Sequence, residues 1–389
     1  MRGAASRVNI SDCRHYNVWS ALNDKLRYGN IPDSSTHPIS RGFPQRVKDT
    51  TDGTSASINL GFGLGSRSIQ GVIDLNDGKK RYKGELKYCP FFNNDMMVPL
   101  QLTGGLEISV NFERNNMALV GHKADNEPAA LEETTKKYIV SNVRFHCEIV
   151  YSNDALTKFM AAEMKAGRLA IPYTSYSSLQ HSPQSTAETL RLTQSLKHLQ
   201  SLFIVHRRTE DINDIKKASL ADFPNPQLLS FQASSGGRTV PSVELQVGTD
   251  LGKNYTGDAY GELEIAVKRS LGYDISKTPL DMTHFNTLAT TSQSPGTQTK
   301  PIYSDVAGWC GSHIVALQMD GGSKFSSIFN RVNSFNQTGN ADLTASFKYA
   351  ISPSSVNTNK GLTMNAFMVY DNVLNILPNG ELVPDQIAF

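Results

Sequence analysis

Residues 106–113 alternate without a break: Leu106, Ile108, Val110 and Phe112 fall on one side, Glu107, Ser109, Asn111 and Glu113 on the other. Strand side chains point to opposite faces with a period of two, so the segment predicts a β-strand with one buried and one wet face. Gly104-Gly105 supplies the turn that opens it, while Pro90 and Pro99 confine the preceding apolar stretch to strand ends and edges.

The same grammar recurs along the chain. Val143, Phe145, Cys147, Ile149 and Tyr151 alternate with Arg144, His146 and Glu148, which predicts a long strand with Val143, Phe145, Cys147 and Ile149 inside. SIQGVIDL, TLRLTQS, QSLFIVHRR, VPSVELQVG and HIVALQMD read as further strands, and RLAIPYTSYSSLQ as an extended, proline-containing segment. The clearest late strands are ADLTASFKYAI, with Leu343, Ala345, Phe347, Tyr349 and Ile351 inward, and LTMNAFMVY, with Leu362, Met364, Ala366, Met368 and Tyr370 inward. An Asn379-Gly380 turn closes the chain.

Twice the period changes from two to 3.6. Leu156, Phe159, Met160 and Met164 form one stripe, with Asn153 placed to cap the helix and Gly167 to end it. Leu263, Ala266, Val267 and Leu271 form the other, ending at Gly272. Neither helix has the basic face of a groove-binding helix, so both are expected to be connections packed on a sheet.

A chain of 389 residues is long for one core and suits two domains. The expected organisation is an N-terminal arm over 1–60, with aromatic anchors at Trp19 and Tyr28 and no periodic core of its own, then units over 61–215 and 216–389. The junction near 215 is set by a short helix pattern around Ile212–Leu220 that Pro224 and Pro226 break. The expected fold class is all-β: two consecutive eight-stranded antiparallel sandwiches with short helices in loops.

Composition narrows the function classes. With 38 basic and 36 acidic side chains the net charge is +2, without the concentrated basic face of a protein that wraps nucleic acid. Mean hydropathy is -0.34, and the apolar runs are far short of the roughly 18–20 residues of a membrane helix. The first residues lack the apolar core of a secretory signal. Cys13, Cys89, Cys147 and Cys310 are scattered with no CxxC pair, which reads as reduced cysteine and no zinc site.

Nothing in the sequence forms a catalytic constellation. Gly61-Phe62-Gly63-Leu64-Gly65 lacks the GK[ST] ending of a phosphate loop, and His206 with Arg207 and Arg208 ends a strand pattern with no carboxylate spaced to serve it. There is no GxSxG and no HExxH, and Glu132-Glu133 and Glu210-Asp211 sit in polar stretches. No catalytic, cofactor or metal residue is assigned, and no cofactor is expected.

The order of segments resembles the double jelly-roll major capsid proteins of tailless icosahedral DNA viruses, nearest to the Polinton-like virus, adintovirus and virophage branch. Its motifs are Pro99-Leu100 ahead of Gly104 to Glu107, and a helix followed by Ile171-Pro172-Tyr173. They cover about residues 65–210; the second half matches only in pattern. The resemblance implies a structural, non-enzymatic protein whose trimers, pseudo-hexagonal in outline, tile a virion shell. It also implies penton and minor capsid partners, synthesis in the host cytoplasm or nucleus, and no specific nucleic-acid binding; an internal membrane is left open. Jelly rolls also serve lectins, so the alternative is a β-sandwich adhesin or a fibre or turret component, with the loop at Thr291–Lys300 as its contact surface.

Overall fold

The computed structural model describes residues 12–28, 45–49, 58–61, 107–114, 138–146, 153–192, 199–212, 222–235, 238–278, 311–319, 343–356 and 361–384, with a few single positions between them. Helices α1 (Tyr16–Tyr28), α2 (Asp154–Lys165), α3 (Thr209–Ile212) and α4 (Gly257–Ser270) join a mostly antiparallel β protein.

Eight strands make its body: β3 (Ala170–His181), β4 (Ala187–Leu192), β5 (Leu199–Arg208), β6 (Leu228–Ser235), β7 (Arg238–Gln246), β10 (Ile314–Gln318), β11 (Leu343–Tyr349) and β12 (Leu362–Ile376). The rest are short: β1 (Gln45–Asp49) with β2 (Ile58–Gly61), β8 (Gly248–Thr249) with β9 (Asn254–Tyr255), and β13 (Leu382–Pro384) beside the end of β12.

One sheet runs β10-β5-β12-β3 and the other β4-β11-β6-β7, antiparallel throughout. Counted in chain order as first to eighth, the strands pair first with eighth, second with seventh, third with sixth and fourth with fifth. That is a long double-stranded ribbon folded over. The pairings β12–β5 and β11–β6 then roll it into two facing four-stranded sheets. This order is a jelly roll.

The division expected near residue 215 falls in the connection between β5 and β6, so strands on both sides of it share each sheet. β5, before it, pairs with both β10 and β12, after it. A helix-and-proline stretch reads locally like a linker. Long-range pairing leaves no mark in such a stretch.

The two sheets differ in how many faces they bury. In β11, Leu343, Ala345, Phe347 and Tyr349 point inward while Thr344, Ser346 and Lys348 lie outside. Phe347 stacks on Phe231 of β6 at 5.0 Å, filling the space between the sheets. The outer face is polar: Ser234 and Thr344 hydroxyls lie 2.6 Å apart, and Lys348 reaches Glu244 at 2.7 Å. In β5 and the first nine residues of β12, by contrast, every residue is buried.

Helices cover that sheet's outer face. Trp19 of α1 packs on Tyr176, Phe203 and Phe367 at 4.8, 6.0 and 5.2 Å, one ring from each of β3, β5 and β12. Helix α4 lies against β10 and β5, where Ser270 and Ser201 share a 2.6 Å hydrogen bond. Tyr273 then donates to Asn23 at 2.8 Å, tying the segment after α4 to α1.

Local signals explain the helix ends. Asn153 Oδ1 accepts from the Leu156 amide and Thr256 Oγ1 from the Ala259 amide, and Gly167 and Gly272 adopt the positive φ that stops each helix. The expected stripe of α4 is buried at Leu263, Ala266 and Val267.

Three expectations change. The arm contains a helix, Tyr16–Tyr28, with Val18, Trp19, Leu22 and Leu26 buried in the main core, so this part of it does have a periodic apolar face. Strand β6, antiparallel to β7, is an element that the sequence patterns above do not predict. Segments 107–114 and 138–146 carry no strand assignment, and their apolar residues face outward: Phe112 is 57% exposed, Val143 68% and Phe145 56%. Alternation predicts an extended backbone, but burial also needs a covering layer, and these side chains remain largely exposed. Leu106, Cys147 and Ile149 lie outside the described residues.

Candidate functional site

The strand end His206-Arg207-Arg208 is wholly inside the protein. Alternation sends its members to different faces. His206 points between the sheets, where Nε2 lies 3.0 Å from the Tyr349 hydroxyl. Burial drives its pKa down to about 3, so the ring is neutral at pH 7, and burial likewise pushes the Tyr349 hydroxyl upward. Arg207 points to the helix-covered face, donating from Nε to Asn365 Oδ1 at 3.2 Å. Burial lowers it to about 10, against an opposing pull from Glu113.

Arg208 pairs with Asp222 at 3.1 Å, both nearly inaccessible. Asp222 also accepts from the Gly311 amide at 2.8 Å, and Lys25 of α1 donates to the Gly311 carbonyl at 2.7 Å and the Ser312 hydroxyl at 3.0 Å. This chain of contacts binds α1, the end of β5, the segment before β6 and the entry to β10 into one knot. Gly311 is required there: a Cβ would stand 2.6 Å from the Phe223 carbonyl oxygen. A buried ion pair of this kind specifies an arrangement more than it stabilises one.

At the same end of the roll, His181 meets Glu188 at 3.0 Å. Burial alone would raise Glu188, but hydrogen bonds from His181, Ser185 and the Gln184 and Ser185 amides hold it below the usual carboxylate range. These contacts pin the β3–β4 turn.

His206, Arg207, Arg208 and Asp222 are all buried, so none of them lies open to solvent. Among the described residues, no three His, Cys, Asp or Glu side chains gather where an ion could bind, and no helix is long and apolar enough to cross a membrane. Gly63, Gly65, Glu132, Glu133 and the loop at Thr291–Lys300 lie outside the described residues, and Glu210 and Asp211 fall in α3.

Surfaces remain. Ile108, Val110 and Phe112, Ile139, Val143 and Phe145, and Tyr151, Leu156 and Phe159 present large apolar side chains to solvent from three nearby stretches of sequence. Single exposed residues of this kind are ordinary, and only a contiguous apolar patch marks an interaction surface. On α2 the expected stripe lies outward at Leu156 and Phe159, while Met164 packs beside Ile171 and Leu374. That contact seats Ile171-Pro172-Tyr173 at the start of β3, where the Tyr173 hydroxyl accepts from Asn372 at 2.7 Å.

No protein-family model matches the chain, and no curated protein does. Solved structures similar to it include PBCV-1 VP54 fitted into a reconstruction of the virophage Sputnik, at 11% identity over 57% of this chain and 52% of that chain, with a TM-score of 0.28. A quasi-atomic model of the PBCV-1 virus capsid follows at 12% identity, 56% and 52% coverage and a TM-score of 0.27. The mavirus major capsid protein matches at 9% identity, 57% and 42% coverage and a TM-score of 0.29. The chain thus spans about half the length of the solved chains it matches. The jelly roll itself is established by strand order and pairing.

Proposed function

We propose that this chain is a major capsid protein of the double jelly-roll kind, a structural subunit that assembles as trimers and tiles an icosahedral virion shell. The observation that carries the reading is the strand order, which makes a jelly roll of the strands between residues 170 and 376. On this reading the roll formed by β3 to β12 is the C-terminal of two, because strands from both sides of residue 215 share it. The Pro99-Leu100, Gly104 to Glu107 and Ile171-Pro172-Tyr173 motifs support it from the sequence.

Function in such a protein comes from surfaces rather than a cleft. The outward apolar residues between Ile108 and Phe159 suit subunit contacts, which in obligate assemblies bury more than about 2,000 Å². Near-neutral net charge suits a coat that does not grip its genome through phosphates.

The test is sedimentation of the purified chain followed by negative-stain imaging at rising concentration. Capsid function predicts a stable trimer that forms sheets or closed shells. A monomer or dimer that binds a glycan array and never forms a lattice would instead make the chain an adhesin built on the same fold.

A further inference from the structure

Registers place a row of unusual residues across the inner face of the larger sheet. Met364 on β12 lies opposite His206 on β5 and, on its other side, opposite His181 on β3. Ile314 pairs with Val205, so His313, one residue earlier, sits beside His206. Four adjacent strands thus contribute His313, His206, Met364 and His181 to a single line between the sheets.

His206 and His313 are fully buried, and each has an Nδ1 with no hydrogen-bond partner. His206 holds the Tyr349 hydroxyl through Nε2, its ring edge-on to Tyr349 at 5.8 Å. His313 meets Tyr255 of β9 edge-on at 5.2 Å. The remaining charged or titratable groups around them are engaged elsewhere: Glu188 of β4 with His181, Arg208 of β5 with Asp222, and Lys25 of α1 with Gly311 and Ser312. Neither ring has a carboxylate partner among the described residues. A second positive charge beside the first would therefore meet repulsion as well as desolvation.

We propose that His206 and His313 form an acid-sensitive latch inside the roll: neutral, they serve as core residues, and once protonated they cannot remain between the sheets, so the roll opens as the solution becomes acidic. Burial holds both at about 3, with the His206 charge adding to the depression at His313. A free imidazole titrates near 6.5, so below that pH the unfolded chain binds protons that the folded chain does not. The stabilisation is complete above about pH 7.5 and is lost progressively as pH falls from 6.5 towards 3. By pH 5 each histidine raises the unfolding equilibrium constant about 30-fold, and the pair about 10³-fold. The latch belongs to the roll and does not depend on how subunits assemble.

The test is urea unfolding of the full chain between pH 7.5 and 5.0, a window above the ordinary carboxylate range near 4. The wild-type constant should rise about 10³-fold relative to the His206→Gln/His313→Gln double variant, while His146→Gln, at an exposed position, keeps the wild-type slope. Ring NMR of the folded wild type supplies a readout that needs no variant: both buried rings should stay neutral until the chain unfolds. Either ring titrating near 6.5 in the folded chain, a wild-type change under about 10-fold, or an unchanged slope in the double variant would overturn the proposal.

Discussion

The two sheets of the roll are both antiparallel, yet their sequences differ in kind. In β11, LTASFKY, apolar and polar residues alternate, and the structure buries one face and wets the other. In β5, LQSLFIVHRR, alternation gives way to a nearly continuous buried run, because α1 and α4 cover the face that would otherwise meet water. Sequence period therefore reports the number of covered faces as much as the presence of a strand. A strand that loses its alternation inside an antiparallel fold points to a further layer, and here α1 and α4 together make that layer.

The contrast can be broken most severely at Trp19. Trp19→Ala should cost about 3–5 kcal/mol in urea unfolding, since the ring fills a site between three aromatic side chains on three strands. A cost below about 1 kcal/mol would mean that the sheet does not need its helical cover. By the same reasoning, removing residues 1–28 should compromise the roll itself, because Val18, Trp19, Leu22 and Leu26 are buried in its core.

A smaller effect belongs between the sheets. Tyr349→Phe removes the hydroxyl that His206 contacts and leaves a buried ring nitrogen unpaired, so a loss of about 1–3 kcal/mol is expected at pH 7.5. The smallest belongs to the wet face. Lys348→Ala breaks a partly exposed ion pair with Glu244 and should cost less than about 1 kcal/mol, the more so in high salt. If Lys348→Ala proved as costly as Trp19→Ala, the outer face of β11 would be covered after all.

Much of the roll was legible in the sequence. β3, β4, β5, β7, β10, β11 and β12 all fall on predicted strands or extended segments, and the caps at Asn153, Gly167 and Gly272 are where side-chain chemistry puts them. Helix α1 was obscured because Trp19, Leu22 and Leu26 are interleaved with Ser20, Asn23 and Lys25, polar residues that are themselves buried. Asn23 and Lys25 are accommodated by the Trp19 carbonyl and by Gly311 and Ser312, partners that the chain's own order does not announce. β6 carried a readable signal, Phe231 and Ala233 alternating ahead of Gly236-Gly237, that its serine content hid. The histidine row was invisible, because residues 181, 206, 313 and 364 meet only through register.

The central claim is that strands on both sides of residue 215 form one cooperative roll. Native-state hydrogen exchange under increasing urea tests it directly. The account predicts that amides of β5, β10 and β12 merge into a single opening event at the highest free energy in the chain. Opening of residues 170–208 as a unit separate from 314–376 would contradict it, and would restore a domain boundary near 215.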